Sequence, residues 1–135
     1  MKEMTVAAER ENLPLVTAFI NEILNENNCP SMTRIQLDVA TDEIFSNIAK
    51  YAYDGKEGQV CVQIDIQEDP KAVVIRFSDR GKSFNPLAIS DPDTTLPLIK
   101  RPIGGLGIYM LKKTMDKVQY ERRDGQNTLL IRKKL

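Results

Sequence analysis

Glu43-Ile44-Phe45-Ser46-Asn47 lies inside a long segment of helical periodicity, with a carboxylate and an amide four residues apart. Positions i and i+4 of a helix project from one face. Val39 lies one turn earlier on that face, and Ile44 and Ile48 point toward a core. The helix is predicted to start after Ser31 and to stop near Asp54-Gly55, a turn signal. Met32, Ile35, Val39, Ala40, Ile44, Ile48 and Tyr51 read as one apolar stripe along it. Glu43 is a candidate proton acceptor for an attacking hydroxyl or water. The Asn47 carbonyl is a hard oxygen suited to Mg²⁺. Lys50 follows three residues later and offers a point charge for a phosphate. An ordinary solvated helix face gives the same spacing, so these residues gain meaning only from what surrounds them.

Upstream, Met4–Ala8 reads as a short strand. A first helix follows, capped by Asn12, with Pro14 in its first turn and Leu15, Val16, Phe19, Ile20, Ile23 and Leu24 at helical spacing. Asn27, Asn28 and Pro30 end it. Downstream, Val60, Val62, Ile64 and Ile66 alternate with polar residues, and Val73, Ile75 and Phe77 alternate after an Asp69-Pro70 turn. These runs predict an antiparallel hairpin. Residues 80 to about 103 carry four prolines and no periodicity. A loop this long in a small domain suits a lid over a ligand. Gly104 to Met115 reads as a third helix, and Val118–Arg123 with Thr128–Arg132 as a hairpin around Asp124-Gly125. The predicted order is β-α-α-β-β-lid-α-β-β in a single domain spanning residues 1–135.

Two more signals fall on this framework. Asp79 ends the second hairpin strand, and Gly81 follows. An aspartate at a strand end can accept a hydrogen bond from the amino group of adenine, while the glycine lets the backbone pass close to the base. A plain turn has the same pattern. Gly104-Gly105-Leu106-Gly107 opens the third helix. Glycines inside a helix cost on the order of 1 kcal/mol each, and close approach of backbone amides to phosphates explains tolerating them. A Rossmann site places its glycines after the first strand, and no Gly-x4-Gly-Lys-Ser/Thr loop occurs. In order, the three signals suggest a nucleotide pocket.

Composition narrows the chemistry. The 135 residues carry a formal net charge of zero, with no basic stripe interleaved with aromatics, so nucleic acid is not an expected partner. The longest apolar runs fall far short of the ~20 residues of a membrane span, and the first residues lack a signal-peptide core. The expectation is a cytoplasmic protein with no membrane partner. Cys29 and Cys61 are far apart and read as reduced thiols. The chain contains no histidine, which excludes a Ser-His-Asp triad, a Cys-His pair and a phosphohistidine on this chain. General-base work falls to Asp, Glu or Lys.

With all three signals in place, the chain resembles the GHKL ATP-binding superfamily of gyrase, histidine kinases and MutL. Glu43-x3-Asn47 is similar to its N box, Asp79-x-Gly81 to its first glycine box, and Gly104-Gly105-x-Gly107 to its second. Within it, the chain looks most like the small anti-sigma-factor serine/threonine kinases of the RsbW and SpoIIAB type. Its size, Ser83-Phe84-Asn85-Pro86, Met115-Asp116-x-Val118 and Gly125-x-x-Thr128 carry that likeness. Ser83 replaces a frequent second glycine, and Tyr51 stands where the family often has histidine.

The resemblance implies a Bergerat-type fold: an α/β two-layer sandwich with a mixed, mostly antiparallel sheet, helices on one face and an ATP lid. It implies ATP and Mg²⁺ as cofactors. Asn47 would hold the metal, Asp79 with Gly81 would read adenine, and Gly104, Gly105, Leu106 and Gly107 would cradle phosphates. Glu43 would be the base, Lys50 a phosphate contact, and Arg101 or Lys100 a lid cation at the γ-phosphate. The implied activity is phosphorylation of a serine on a STAS-domain antagonist in a partner-switching pathway. A sigma factor would be a second partner, and a homodimer the assembly. A non-catalytic ATP-sensing module and an orphaned histidine-kinase ATPase domain stay open as alternatives.

Overall fold

The computed structural model describes residues 1–88 and 106–135. Strand β1 (Lys2–Ala7) leads through a short 3-10 turn into helix α1 (Leu13–Glu26) and then helix α2 (Ser31–Tyr51). Strands β2 (Gln59–Gln67) and β3 (Ala72–Asp79) form the first hairpin. Helix α3 (Leu106–Thr114) and the hairpin of β4 (Lys117–Arg123) and β5 (Gln126–Lys134) complete the chain. The sheet order is β1-β2-β3-β5-β4. All four pairings are antiparallel, where a mixed, mostly antiparallel sheet was the expectation. The α/β sandwich stands as expected, and so does the order of helices and strands; the expected lid lies mostly outside the described residues.

Alternation sets the sheet's two faces. Val60, Val62, Ile64, Val73, Ile75, Phe77, Leu129 and Ile131 pack into one core with buried residues of all three helices. Between them, Cys61, Gln63, Asp65, Arg76, Ser78 and Thr128 are half-buried on the face that bears no helix. Register aligns Met4, Val62, Phe77, Leu129 and Tyr120 across the inner face. The next row, Val6, Val60, Asp79, Asn127 and Arg122, turns polar on β3, β5 and β4. The inner face is therefore apolar until its last row, where two buried polar side chains appear.

Helix α2 corrects the expected stripe. Its buried seam is Leu37, Ala40, Thr41, Ile44 and Phe45, while Met32 (66%), Ile35 (56%) and Val39 (50%) are exposed, as is Tyr51. Five residues of helix, from Val39 to Ile44, turn about 500°, which leaves them roughly 140° apart. The stripe had joined two opposite faces of one helix. Leu15 of α1 is likewise exposed. Asn12 occupies the N-cap of α1, but its side chain makes no cap bond and instead donates to the Ala7 carbonyl at 3.0 Å. Asp124 (φ 51) and Gly125 (φ 76) both take the left-handed conformation of the predicted tight hairpin turn. Among the described residues, no helix is long and apolar enough to cross a membrane.

Candidate functional site

The polar row opens into a cleft between α2 and the sheet. Its walls are mostly apolar: Ile44 and Ile48 from α2, Ala52 just after it, Phe77 and Leu129 from the sheet, and Phe84 and Pro86 from the segment after β3. Asn47, Asp79, Lys82, Tyr120 and Asn127 supply the polar groups. Tyr51 props Phe84 at the mouth, with ring centroids 5.7 Å apart. An apolar slot with a few fixed polar groups is the usual form of a small-molecule site.

Asp79 is buried, and its Oδ1 accepts from the Gly81 amide at 2.9 Å and from Asn127 Nδ2 at 3.0 Å. Its Oδ2 has no partner among the described residues. The turn behind it is clamped on both sides. Tyr53 Oη accepts from the Arg80 amide at 2.9 Å and donates to the Gln59 carbonyl at 2.5 Å. The Lys82 amide donates to the Ala52 carbonyl at 2.8 Å. Arg122 donates to the Gly81 carbonyl at 3.0 Å, and Asn127 to the Lys82 carbonyl at 2.8 Å. Gly81 thus serves a close approach, but to α2: a Cβ there would run into the Ala52 carbonyl.

The other two signals meet at Glu43. Asn47 Nδ2 donates to Glu43 Oε1 at 3.2 Å, which leaves the Asn47 carbonyl oxygen without a partner among the described residues. A Cβ on Gly107 would overlap the Glu43 carboxylate. The first turn of α3 therefore lies directly on the carboxylate, and a larger residue at 107 would push it aside. Leu106 is exposed at the start of the helix. Lys50 is exposed on the last turn of α2 and does not wall the cleft. Lys82 does, with its ammonium 2.8 Å from Asp54 Oδ1. Gly104, Gly105, Arg101 and Lys100 lie outside the described residues.

Asn127 and Lys82 escaped the sequence reading. Lys82 sits inside the turn signal already noted, between Gly81 and Ser83. Asn127 gives no local signal: it is one polar residue in a strand, and its meaning comes from pairing with Asp79 across β3 and β5.

The match to a family of known proteins covers residues 6–133, under the description histidine kinase-like ATPase domain. The chain belongs to that family. Among named relatives, the serine-protein kinase RsbW of Bacillus mycoides is 23% identical over 134 residues, covering 96% of this chain and 82% of its own. The serine-protein kinase RsbW of Halalkalibacterium halodurans is 27% identical over 127 residues, covering 91% and 76%. The geometry fits the family's ligand: an apolar slot, a buried carboxylate with one open oxygen, and an open amide oxygen beside a second carboxylate.

Proposed function

We propose that this chain is an ATP-dependent protein serine/threonine kinase and anti-sigma regulator that phosphorylates a STAS-domain antagonist. The observation that carries the reading is the junction of Glu43, Asn47 and Gly107 beside the cleft whose wall holds the buried Asp79. The similarity to proteins named serine-protein kinase RsbW supports the substrate class.

Ile44, Ile48, Ala52, Phe77 and Leu129 take the faces of the base out of water. Asp79 accepts its amino hydrogen at Oδ2. Mg²⁺, held by the Asn47 carbonyl oxygen with waters and phosphate oxygens, would neutralise charge on the phosphates. Asn47 keeps that oxygen free by turning its amide nitrogen to Glu43. Glu43 accepts the proton of the attacking serine hydroxyl, which a carboxylate can do without histidine. The Glu43–Asn47 bond orients the base. The segment through Arg101, Gly104 and Gly105 would add a cation and backbone amides at the phosphates. A sigma factor and a second copy of the chain are the other partners in this reading, in the cytoplasm.

The test is to incubate the protein with Mg-ATP and the STAS proteins of its own genome. Phosphorylation of one of them, lost in Glu43→Gln while ATP binding persists, is the expected result. ATP binding with no phosphorylation of any of them would refute the kinase and leave a nucleotide-sensing binding module.

A further inference from the structure

The end of the sheet away from the cleft carries charge of one sign. Residues 112–117 and 130–135 hold six bases, Lys112, Lys113, Lys117, Arg132, Lys133 and Lys134, and one acid, Asp116. The whole chain has 19 of each, so 13 bases face 18 acids everywhere else. The fold gathers these residues at one corner. Lys117 of β4 and Arg132 of β5 are partners across the ladder, and Lys134 follows two residues on, so all three project from the face that bears no helix. Helix α3 ends beside them, with Lys113 in its last turn. The Asp116 amide donates to the Arg132 carbonyl at 2.9 Å, and the Lys134 amide to Asp116 Oδ2 at 2.6 Å.

Part of this charge has a local use. Lys133 Nζ donates to the Thr114 carbonyl at 2.5 Å, at the negative end of α3. Arg132 Nε donates to Gln67 at 3.1 Å. Lys113 lies 5.5 Å from the centroid of the Tyr109 ring. Lys113, Lys117 and Lys134 are exposed, and among the described residues none of the three makes an ion pair. Cations crowded on one corner repel one another, and an anionic partner relieves that repulsion. Acids fence the corner. Asp65 lies two strands from Arg132 in the same row, Glu121 four residues from Lys117 on β4, and Glu68 and Asp69 on the β2–β3 turn. A long polyanion such as nucleic acid, or a membrane surface, would meet these acids as well as the cations. A short acidic segment would meet the cations alone. We propose that this corner docks a short acidic segment of a partner protein. Lys134 is seven residues along β5 from Asn127, roughly 24 Å, so docking there leaves the cleft open and does not depend on the nucleotide reading.

The probe is a labelled decaglutamate peptide, titrated against the full chain by fluorescence anisotropy. Binding should weaken about tenfold between about 50 mM and about 200 mM salt. The triple variant Lys113→Gln, Lys117→Gln, Lys134→Gln should bind about tenfold or more weakly at the lower salt, with its melting temperature unmoved. Lys117→Glu alone gives the same comparison if the triple variant melts early. A control variant, Arg10→Gln, Lys56→Gln, Arg123→Gln, removes as much exposed charge elsewhere and should bind within about twofold of wild type. No binding of the peptide by wild type, or equal losses in the two triple variants, overturns the proposal. Tighter binding of duplex DNA of equal charge, or of phosphatidylserine vesicles, also overturns it and makes the corner a nucleic-acid or membrane contact.

Discussion

An alanine at position 107 would place a methyl group where the Glu43 carboxylate now lies. The obstructing atoms belong to a side chain, which can swing away, so the fold should survive. Two small terms set the stability change. Alanine is favoured over glycine in a helix by up to about 1 kcal/mol. Displacing Glu43 breaks its bond from Asn47, worth about 1 kcal/mol. The terms nearly cancel, and the melting temperature should stay within about 4 °C of wild type. Turnover should respond very differently. A misplaced general base costs about 10²-fold or more, equivalent to about 2.7 kcal/mol in the barrier. The assay is ATP turnover at saturating nucleotide, beside thermal melts, for Gly107→Ala, Glu43→Gln and the double variant. If the glycine acts only by making room for Glu43, the double variant is no slower than Glu43→Gln. Wild-type turnover in Gly107→Ala, or a second full loss on the Glu43→Gln background, would refute the reasoning.

Gly81→Ala should do the opposite. Its Cβ meets the Ala52 backbone, which cannot swing away, so overpacking of about 1–3 kcal/mol adds to strain on the Lys82–Ala52 bond; a melting temperature within about 2 °C of wild type would sink the claim. Thr41 is 1% exposed and its hydroxyl has no partner among the described residues, so the near-isosteric Thr41→Val should stabilise by about 1 kcal/mol in urea unfolding, and a destabilised variant would mean that the hydroxyl is bonded. Burial pushes the Cys29 thiol up, against a smaller pull from Arg34. The unfolded chain therefore loses this proton first, and stability should be intact below about pH 8.5 and fall as pH rises beyond it. Urea midpoints from pH 7 to 10 should show that slope reduced in Cys29→Ala, and identical slopes would count against it. In the same range a thiol reagent should label native Cys61 before Cys29.

The elements were legible because each has a local cause. Period-2 alternation marked β2 and β3, Asp124-Gly125 marked the last turn, and glycines marked the entry of α3. Helix α2 was legible as a helix but not in its orientation. It is apolar on two sides, and periodicity cannot say which side meets a sheet. Only packing against Val62, Ile75 and Phe77 buried Leu37, Ile44 and Phe45 and left Met32, Ile35 and Val39 in solvent.

By itself, then, the sequence determined the order of the elements, the carboxylate as the only kind of base short of lysine, and the three signals of the cleft. Those depend on residue type and near-neighbour spacing. The tertiary structure decided what the signals touch. Gly81 makes room for α2 and Gly107 makes room for Glu43, and Lys82 walls the cleft that Lys50 does not. Asn127 closes one oxygen of Asp79 because β5 pairs with β3 in a register that sets the two side by side. That contact joins residues 48 positions apart, and no local pattern encodes a register fixed by the whole sheet.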